Sequence, residues 1–223
     1  MRRFEFPVDN AHARSVNETV GDVRRLRVSS IITAVLFVAL AVWLFTLAHP
    51  WSYILGVVLA LVGATSLWVA FWAPRKVGSI EDLYAKGALV PAVVAETRPR
   101  GATLLALIDV AKPTADGPHY VLVTRNVQSL PGHTLNHVGE RVPSISVLSD
   151  RNTRAKGDTW QMVSPMPIAW GTRDARVLRR AADAIGGEEW KLLAKSIPLA
   201  EQVRRADNQQ LPVATADLPD YLR

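Results

Sequence analysis

The sequence predicts an α+β membrane protein: a two-helix transmembrane hairpin, then a small antiparallel β-barrel, OB- or SH3-like, followed by C-terminal helices. Three observations predict it. No Asp, Glu, Lys or Arg occurs anywhere from Val28 to Ala73. Arginine and lysine flank that stretch on both sides. Beyond it, short Val-rich runs alternate with turn signals before the pattern becomes helical.

The first 27 residues are a polar N-terminal arm, with Val16, Val20 and Val23 at helical spacing. Asp9 or Asn10 is placed to cap a helix that runs on into the first span. His12 reads as a solvated surface residue, and Arg2 and Arg3 as contacts for lipid phosphates.

The membrane hairpin covers residues 28–74, with spans at 28–48 and 51–73. Each span of just over twenty residues, at about 1.5 Å per residue, crosses a hydrocarbon core of about 30 Å. Its only polar side chains besides His49 are hydroxyls and indoles or phenols, and a hydroxyl can bond back to a helical carbonyl. The connection at His49-Pro50 is short enough to force an antiparallel hairpin, and Pro50 ends the first helix. Trp43, Phe45, Trp51 and Tyr53 gather at the loop end, Trp68, Phe71 and Trp72 at the other, the depth that amphipathic rings prefer. Arg24, Arg25 and Arg27 precede the first span, Arg75 and Lys76 follow the second, and the connecting turn has neither Lys nor Arg. These basic residues set the topology: both flanks, and so both termini, are expected in the cytoplasm of a multi-pass inner-membrane protein. Gly56, Ala60 and Ala64, four apart, allow close helix contact, either with the first span or with a second copy.

Residues 75–87 predict a short juxtamembrane helix, opened by the capping pattern Ser79-Ile-Glu-Asp82 and closed by Gly87. Residues 88–170 predict the β domain. Its strands are expected at Leu89–Glu96, Thr103–Val110, Tyr120–Val127, Val142–Leu148 and, more weakly, Trp160–Val163, with turns at Pro99-Arg-Gly101, Pro113–Pro118, Pro131-Gly132 and Lys156-Gly157. Several short strands without intervening helices point to a barrel or compact sandwich, and Pro91 and Pro143 to edges or strand starts. Residues 171–207 predict helices: one capped by Thr172 or Asp174 and closed by Gly186-Gly187, a second opened by Glu188-Glu189, and a turn or two after Pro198. Residues 208–223 are expected to be extended or disordered.

Composition narrows the chemistry. The absence of cysteine excludes disulfides, thiolate metal sites and cysteine nucleophiles. The net charge of +6 is scattered without a polybasic run, which suits a solvated surface near anionic lipid, and nucleic acid is not expected as a partner. There is no phosphate loop, nucleophile elbow or dinucleotide fingerprint. His133 and His137 have the i, i+4 spacing of paired ligands, but the glycines around them make a loop, not a helix. Glu96 and Asp109 read as strand-end carboxylates, and Tyr120, Trp160 and Trp170 as core or seam aromatics. No catalytic residue, cofactor or metal site is expected.

The hairpin followed by Asp82-Leu-Tyr, Val90-Pro-Ala-Val-Val-Ala, Gly139-Glu-Arg-Val-Pro and Pro165-Met-Pro-Ile-Ala-Trp170 resembles a family of actinobacterial membrane proteins of uncharacterised function. The resemblance covers most of the chain beyond the arm and brings no catalytic residue with it. The expected function is a non-enzymatic, membrane-anchored cytosolic interaction module with a protein partner, serving cell-envelope assembly or transport. The alternative is a lipid- or small-ligand-binding domain at the inner membrane face. Besides the lipid bilayer and a protein partner, a homo-oligomer through the transmembrane helices is a further expectation.

Overall fold

The computed structural model describes residues 2–77, 79–151 and 157–222. The chain divides into two compact units, Asn17–Ser79, and Met1–Val16 with Ile80–Arg223. Helix α1 (Asn10–Val16) belongs to the second unit, and helices α2 (Glu18–Thr46) and α3 (Pro50–Val77) to the first. The expected continuous helix through the arm is interrupted. Asn17 adopts an extended backbone and its side chain accepts from the Thr19 N–H, capping α2 afresh. Asp9, not Asn10, caps α1, accepting from the His12 N–H at 3.0 Å.

In the hairpin unit, α2 and α3 are each long and apolar enough to cross a membrane. At 29 and 28 residues they reach about 40 Å, beyond the hydrocarbon core alone. Ala48, with φ +54°, leaves α2 in the left-handed region. Ser52 Oγ then accepts from the His49 N–H, with Pro50 in the first turn of α3. The buried seam is made mostly of small residues, Ser30, Ala34 and Ala41 with Leu44 on α2 and Ser52, Gly56, Gly63 and Ala70 on α3. On α3 the seam recurs every seven residues from Gly56, whereas Ala60 is half-buried and Ala64 exposed, so the expected four-residue stripe is only partly used. A Cβ on Gly56 would lie 2.8 Å from the Phe45 ring, and one on Gly63 3.0 Å from Val38; the glycines pack on the first helix. Large apolar residues point outward, Leu36 at 65% and Ile54 at 71% exposure. That inside-out pattern is what lipid as solvent requires. The side chains of Arg75 and Lys76, on which the topology partly rests, lie outside the described residues.

The second unit holds the rest: α4 (Ile80–Lys86), β1 (Leu89–Val90), β2 (Ala92–Arg98), β3 (Gly101–Asp109), β4 (Tyr120–Val127), β5 (Ser144–Ser149), β6 (Met162–Pro167), α5 (Ala175–Asp183), α6 (Gly187–Ser196), α7 (Ala200–Arg205) and β7 (Gln210–Pro212). The turn expected at Lys156-Gly157 begins outside the described residues. All strand pairs are antiparallel, in two open sheets ordered β1-β5-β6 and β2-β3-β4-β7. The chain passes between sheets at Pro91, which lacks a ladder donor. β3 is the centre, buried from Ala102 to Ile108, with Trp190 and Leu193 of α6 and Trp170 in the same core.

One closed barrel, as expected from the strand count, is not what the ladders form among the described residues. Ile168 N–H donates to Pro143 O, so even-numbered residues of β6 face β5 and odd-numbered ones face outward. Pro165 and Pro167 therefore stand where outward N–H donors would be needed to close the circle onto β4.

Both chain ends are tied to the domain. The tail is extended at β7, which pairs with Val121–Val123 of β4. In the arm, Phe4, Phe6 and Val8 pack on the core, Leu89 N–H donates to Arg2 O, and the Arg2 guanidinium is held by Glu189. Gly87 ends α4 without a left-handed backbone. Its need is space, because a Cβ there would meet Ile145 Cγ2 at 1.8 Å and Ser146 O at 2.6 Å.

Candidate functional site

Antiparallel geometry sends alternate residues of a strand to opposite edges. In β4, His119 O accepts from Val110 on the β3 side and Tyr120 O accepts from Val213 on the β7 side. The even residues Leu122, Thr124 and Asn126 therefore present their backbone groups away from β3. β7 covers this edge through the Val123–Gln210 pair, a register that turns the Thr124 N–H to Gln209 O, and Asn126 stands beyond it. Other edges are covered: β1 by Arg2, and β2 along Ala92–Val94 by Gly139, Glu140 and Val142. Protecting edges is the usual protein strategy, and among the described residues no ladder partner continues along β4 past Thr124.

Facing it is the outward edge of β6, and side chains bridge the two. Arg125 Nη1 donates to Ser164 Oγ at 2.9 Å and to Pro165 O at 3.1 Å, while its guanidinium lies 4.8 Å from the centre of the Trp170 ring. Gln210 Nε2 donates to Gln161 O at 2.9 Å. Between these bridges lies a groove of about 620 Å³, lined by Thr124, Arg125, Asn126, Arg151, Met162, Val163 and Arg204, with Asn208 and Gln209 at its rim. Both rim residues have φ +57°, a conformation that side chains adopt only when their surroundings hold them there. No carboxylate lines the groove among the described residues. Arg204 is shared with Glu96 and Glu201, and Arg125 and Arg151 add positive charge to the lining.

A second polar cluster joins distant parts of the chain. Glu189 is 5% exposed and accepts from Arg2 at 2.9 Å, Tyr221 Oη at 3.2 Å and the Gly186 N–H at 3.2 Å. Burial, then the Asp109 and Glu189 carboxylates, push nearby Tyr120 up to about 12. Burial, then Glu189, also raise Tyr221. Next to this cluster, α6 and the tail enclose a cavity of about 740 Å³ with Lys191, Lys195, Leu192 and Leu211 in its walls.

His12 is the clearest departure from the sequence expectation. It is 2% exposed, its Nε2 lies 3.0 Å from Ala169 O, and Arg173 Nε donates to its Nδ1 at 2.8 Å. Accepting at Nδ1 and donating at Nε2 defines the neutral Nε2–H tautomer. The arm is thereby clasped to the turn after β6. Pairing of a polar-looking arm with residues more than 150 positions away leaves no local trace, although the alternation Phe4-Glu-Phe6-Pro-Val8 signals one buried face.

Other residues singled out in the sequence do not converge. Glu96 pairs in register with Thr103, six residues from Asp109 along β3, so the two carboxylates stand about 20 Å apart. Asp109 Oδ1 instead accepts from Ala111 and His119, closing the β3–β4 connection. Glu140 binds His133 Nδ1 at 2.8 Å and the Leu135 N–H at 3.0 Å. His137 is exposed, so the two histidines do not form a ligand pair. Trp170 is fully buried in the core, whereas Tyr120 and Trp160 are half-buried, with the Lys112 ammonium 5.2 Å from the Trp160 ring.

Among curated proteins none matches the chain. A crystal structure of a presumed membrane protein from Corynebacterium diphtheriae is similar to it, at 38% identity and a TM-score of 0.51, covering 56% of this chain and 99% of that one. This neighbour and the two long apolar helices place the protein in a membrane, and its actinobacterial source fits the resemblance noted in the sequence. The family model described as a protein of unknown function, DUF3239, matches residues 75–201, more than half of the 223. The chain belongs to the DUF3239 family.

Proposed function

We propose that the protein is a membrane-anchored, non-enzymatic interaction module whose folded domain works on the cytoplasmic face and binds a protein partner. The observation that carries this reading is the groove between β4 and β6. Read around the domain, the strand order β6-β5-β1/β2-β3-β4-β7 supports a partly open, OB-like barrel, in which β6 is not zipped to the β4–β7 edge. An unzipped seam with backbone groups along one wall and side-chain bridges at its ends is suited to receiving a chain from outside. Anchoring by two spans keeps such a module beside envelope-assembly or transport partners in the membrane.

Photocrosslinking in intact cells tests the reading. With a benzoylphenylalanine at Met162, on the groove, we expect one discrete adduct; the same probe at Val138, exposed in the loop before β5, should give none. Equal labelling from both positions, or none from Met162, overturns it. A reporter fused at the C-terminus should be active in the cytoplasm, and activity on the outer side overturns the orientation. The alternative, a lipid- or small-ligand-binding domain, draws on the cavity between α6 and the tail. It predicts a rise in melting temperature with ligand.

A further inference from the structure

We infer that helix α5, braced by the N-terminal arm, forms a basic surface that docks the domain onto anionic phospholipid head groups of the bilayer. The inference goes beyond the interaction-module reading and does not depend on the groove.

Charge is unevenly spread along the domain. Arg173, Arg176, Arg179 and Arg180 fall within eight residues, with Asp174 and Asp183 as the acids of that stretch. The tail from Ala206 to Leu222 carries Asp207, Asp217 and Asp220 and neither Lys nor Arg. The fold then decides where the arginines stand. Val177 and Ala181 are buried and Leu178 is half-buried, which fixes that side of α5 on the core. At 3.6 residues per turn, Arg176, Arg179 and Arg180 fall on the opposite side, and all three are exposed.

Two of the arginines are braced by the arm without being neutralised. Arg180 Nη2 donates to Glu5 O at 2.9 Å, and its guanidinium lies 4.9 Å from the centre of the Phe4 ring. Arg173 Nε donates to His12 Nδ1 at 2.8 Å. A backbone carbonyl, a ring face and a neutral imidazole orient a guanidinium and leave its charge in place. Arg179 Nε donates to Ala175 O of its own helix at 3.4 Å. Among the described residues, Arg173, Arg179 and Arg180 form no ion pair, whereas Arg176 is paired with Asp174 at 3.1 Å. Asp183 shares the exposed face and offsets one of them. On the arm, exposed Arg3 and Arg14 are balanced by exposed Glu5 and Asp9, so the surplus belongs to α5.

A bilayer is the occupant that suits this surface. Asn17 alone separates α1 from α2, so a helix clasped to the arm through His12 works on a short tether from lipid. At that effective concentration several weak contacts suffice. The guanidinium fork matches phosphate oxygens, and an anionic leaflet attracts clustered arginines. The apolar side of α5 is already spent on the core, so the helix rests at head-group depth instead of inserting. Nucleic acid and acidic proteins carry negative charge as well but have no such tether; both are outcomes of the test.

The chain has no cysteine, so Ala175→Cys, exposed on α5 and removing no charge, takes a single environment-sensitive dye. The labelled full chain is placed in nanodiscs of phosphatidylcholine, alone or mixed with phosphatidylglycerol, with a nitroxide either at the head group or deep in the acyl chain. We expect a blue shift with phosphatidylglycerol and stronger quenching from the head-group nitroxide than from the deep one. The quenching should be roughly twofold that in phosphatidylcholine, and it should fade as salt rises from about 0.05 to about 0.5 M and screens the arginines. Arg179→Glu reverses a charge outside the packed core and should abolish the difference between the two lipids. The same dye on Val138→Cys, in the loop before β5, should respond alike in both.

Equal emission and quenching at Ala175→Cys in the two kinds of disc overturns the proposal. So does a response that survives both high salt and Arg179→Glu, or one matched at Val138→Cys. Glycerol phosphate, an oligothymidine and a short polyglutamate peptide are added in turn to phosphatidylcholine discs. A blue shift with one of them, and none with phosphatidylglycerol, assigns the surface to that ligand and removes the bilayer. The lipid comparison uses one protein in two bilayers, so it stands even where Arg179→Glu fails to fold. A discrete adduct from Met162 beside unchanged fluorescence at α5 would leave the interaction module standing and remove only this docking.

Discussion

Arg2 and Tyr221, near opposite ends of the chain, both donate to the same oxygen of Glu189, at 2.9 Å and 3.2 Å. Glu189 is also the third residue of α6, where it accepts from the Gly186 N–H. One carboxylate thus terminates a helix, holds the arm beside β1 and holds the tail beyond β7. Removing one partner of a buried pair costs more than the pair is worth, because the other charge is left in a poor solvent.

Glu189→Ala should therefore lower the unfolding free energy by about 2 kcal/mol, less than for a fully buried pair because Arg2 remains a third exposed. Urea unfolding of the detergent-solubilised protein, followed by tryptophan fluorescence, measures it. Tyr221→Phe removes one of three donors and should cost about 1 kcal/mol. Equal losses in the two variants would contradict the ranking.

His12→Ala should release the arm before it unfolds the domain. It orphans the Ala169 carbonyl and the Arg173 guanidinium, at a cost of about 1–3 kcal/mol, and this lowers the free energy of local opening. Faster tryptic cleavage after Arg14 at unchanged melting temperature is the expected readout. An unchanged cleavage rate would show that the clasp does not hold the arm.

Alkali should loosen the second unit through Tyr120. Its folded value is raised to about 12 from 10.0, so the folded state keeps a proton that the unfolded state has lost. Its contribution is fully present below about pH 10 and is lost as the pH rises towards 12. Stability to urea should fall across that window, and the fall should be shallower in Tyr120→Phe. Absorbance at 295 nm should show one phenol fewer in the latest part of the titration of that variant.

Gly87→Ala should destabilise by about 3 kcal/mol, since the added methyl meets both the Ile145 side chain and the backbone of β5. Gly117→Ala, with open space around its Cβ, is the control and should be near neutral. Thermal unfolding of the two variants decides the matter.

The sequence by itself determined the features that repeat over short distances. Two uncharged stretches must satisfy their own backbone in lipid, so the hairpin follows from composition alone, and the strand runs from Leu89 to Leu148 follow from alternation and turn residues. Local chemistry also narrowed each cap to two neighbours, Asp9 or Asn10 and Thr172 or Asp174, and the structure uses Asp9 and Asp174. Tertiary structure decided everything that depends on a partner far along the chain: the burial of His12 against Ala169 and Arg173, the Arg2–Glu189–Tyr221 node, the pairing of the tail with β4, and the seam that stays unzipped beside β6. A side chain's own neighbours set its propensity, but whether it is buried depends on what the fold brings against it. The groove became visible only when the register told which N–H groups face outward, and a one-residue change of register would turn them inward.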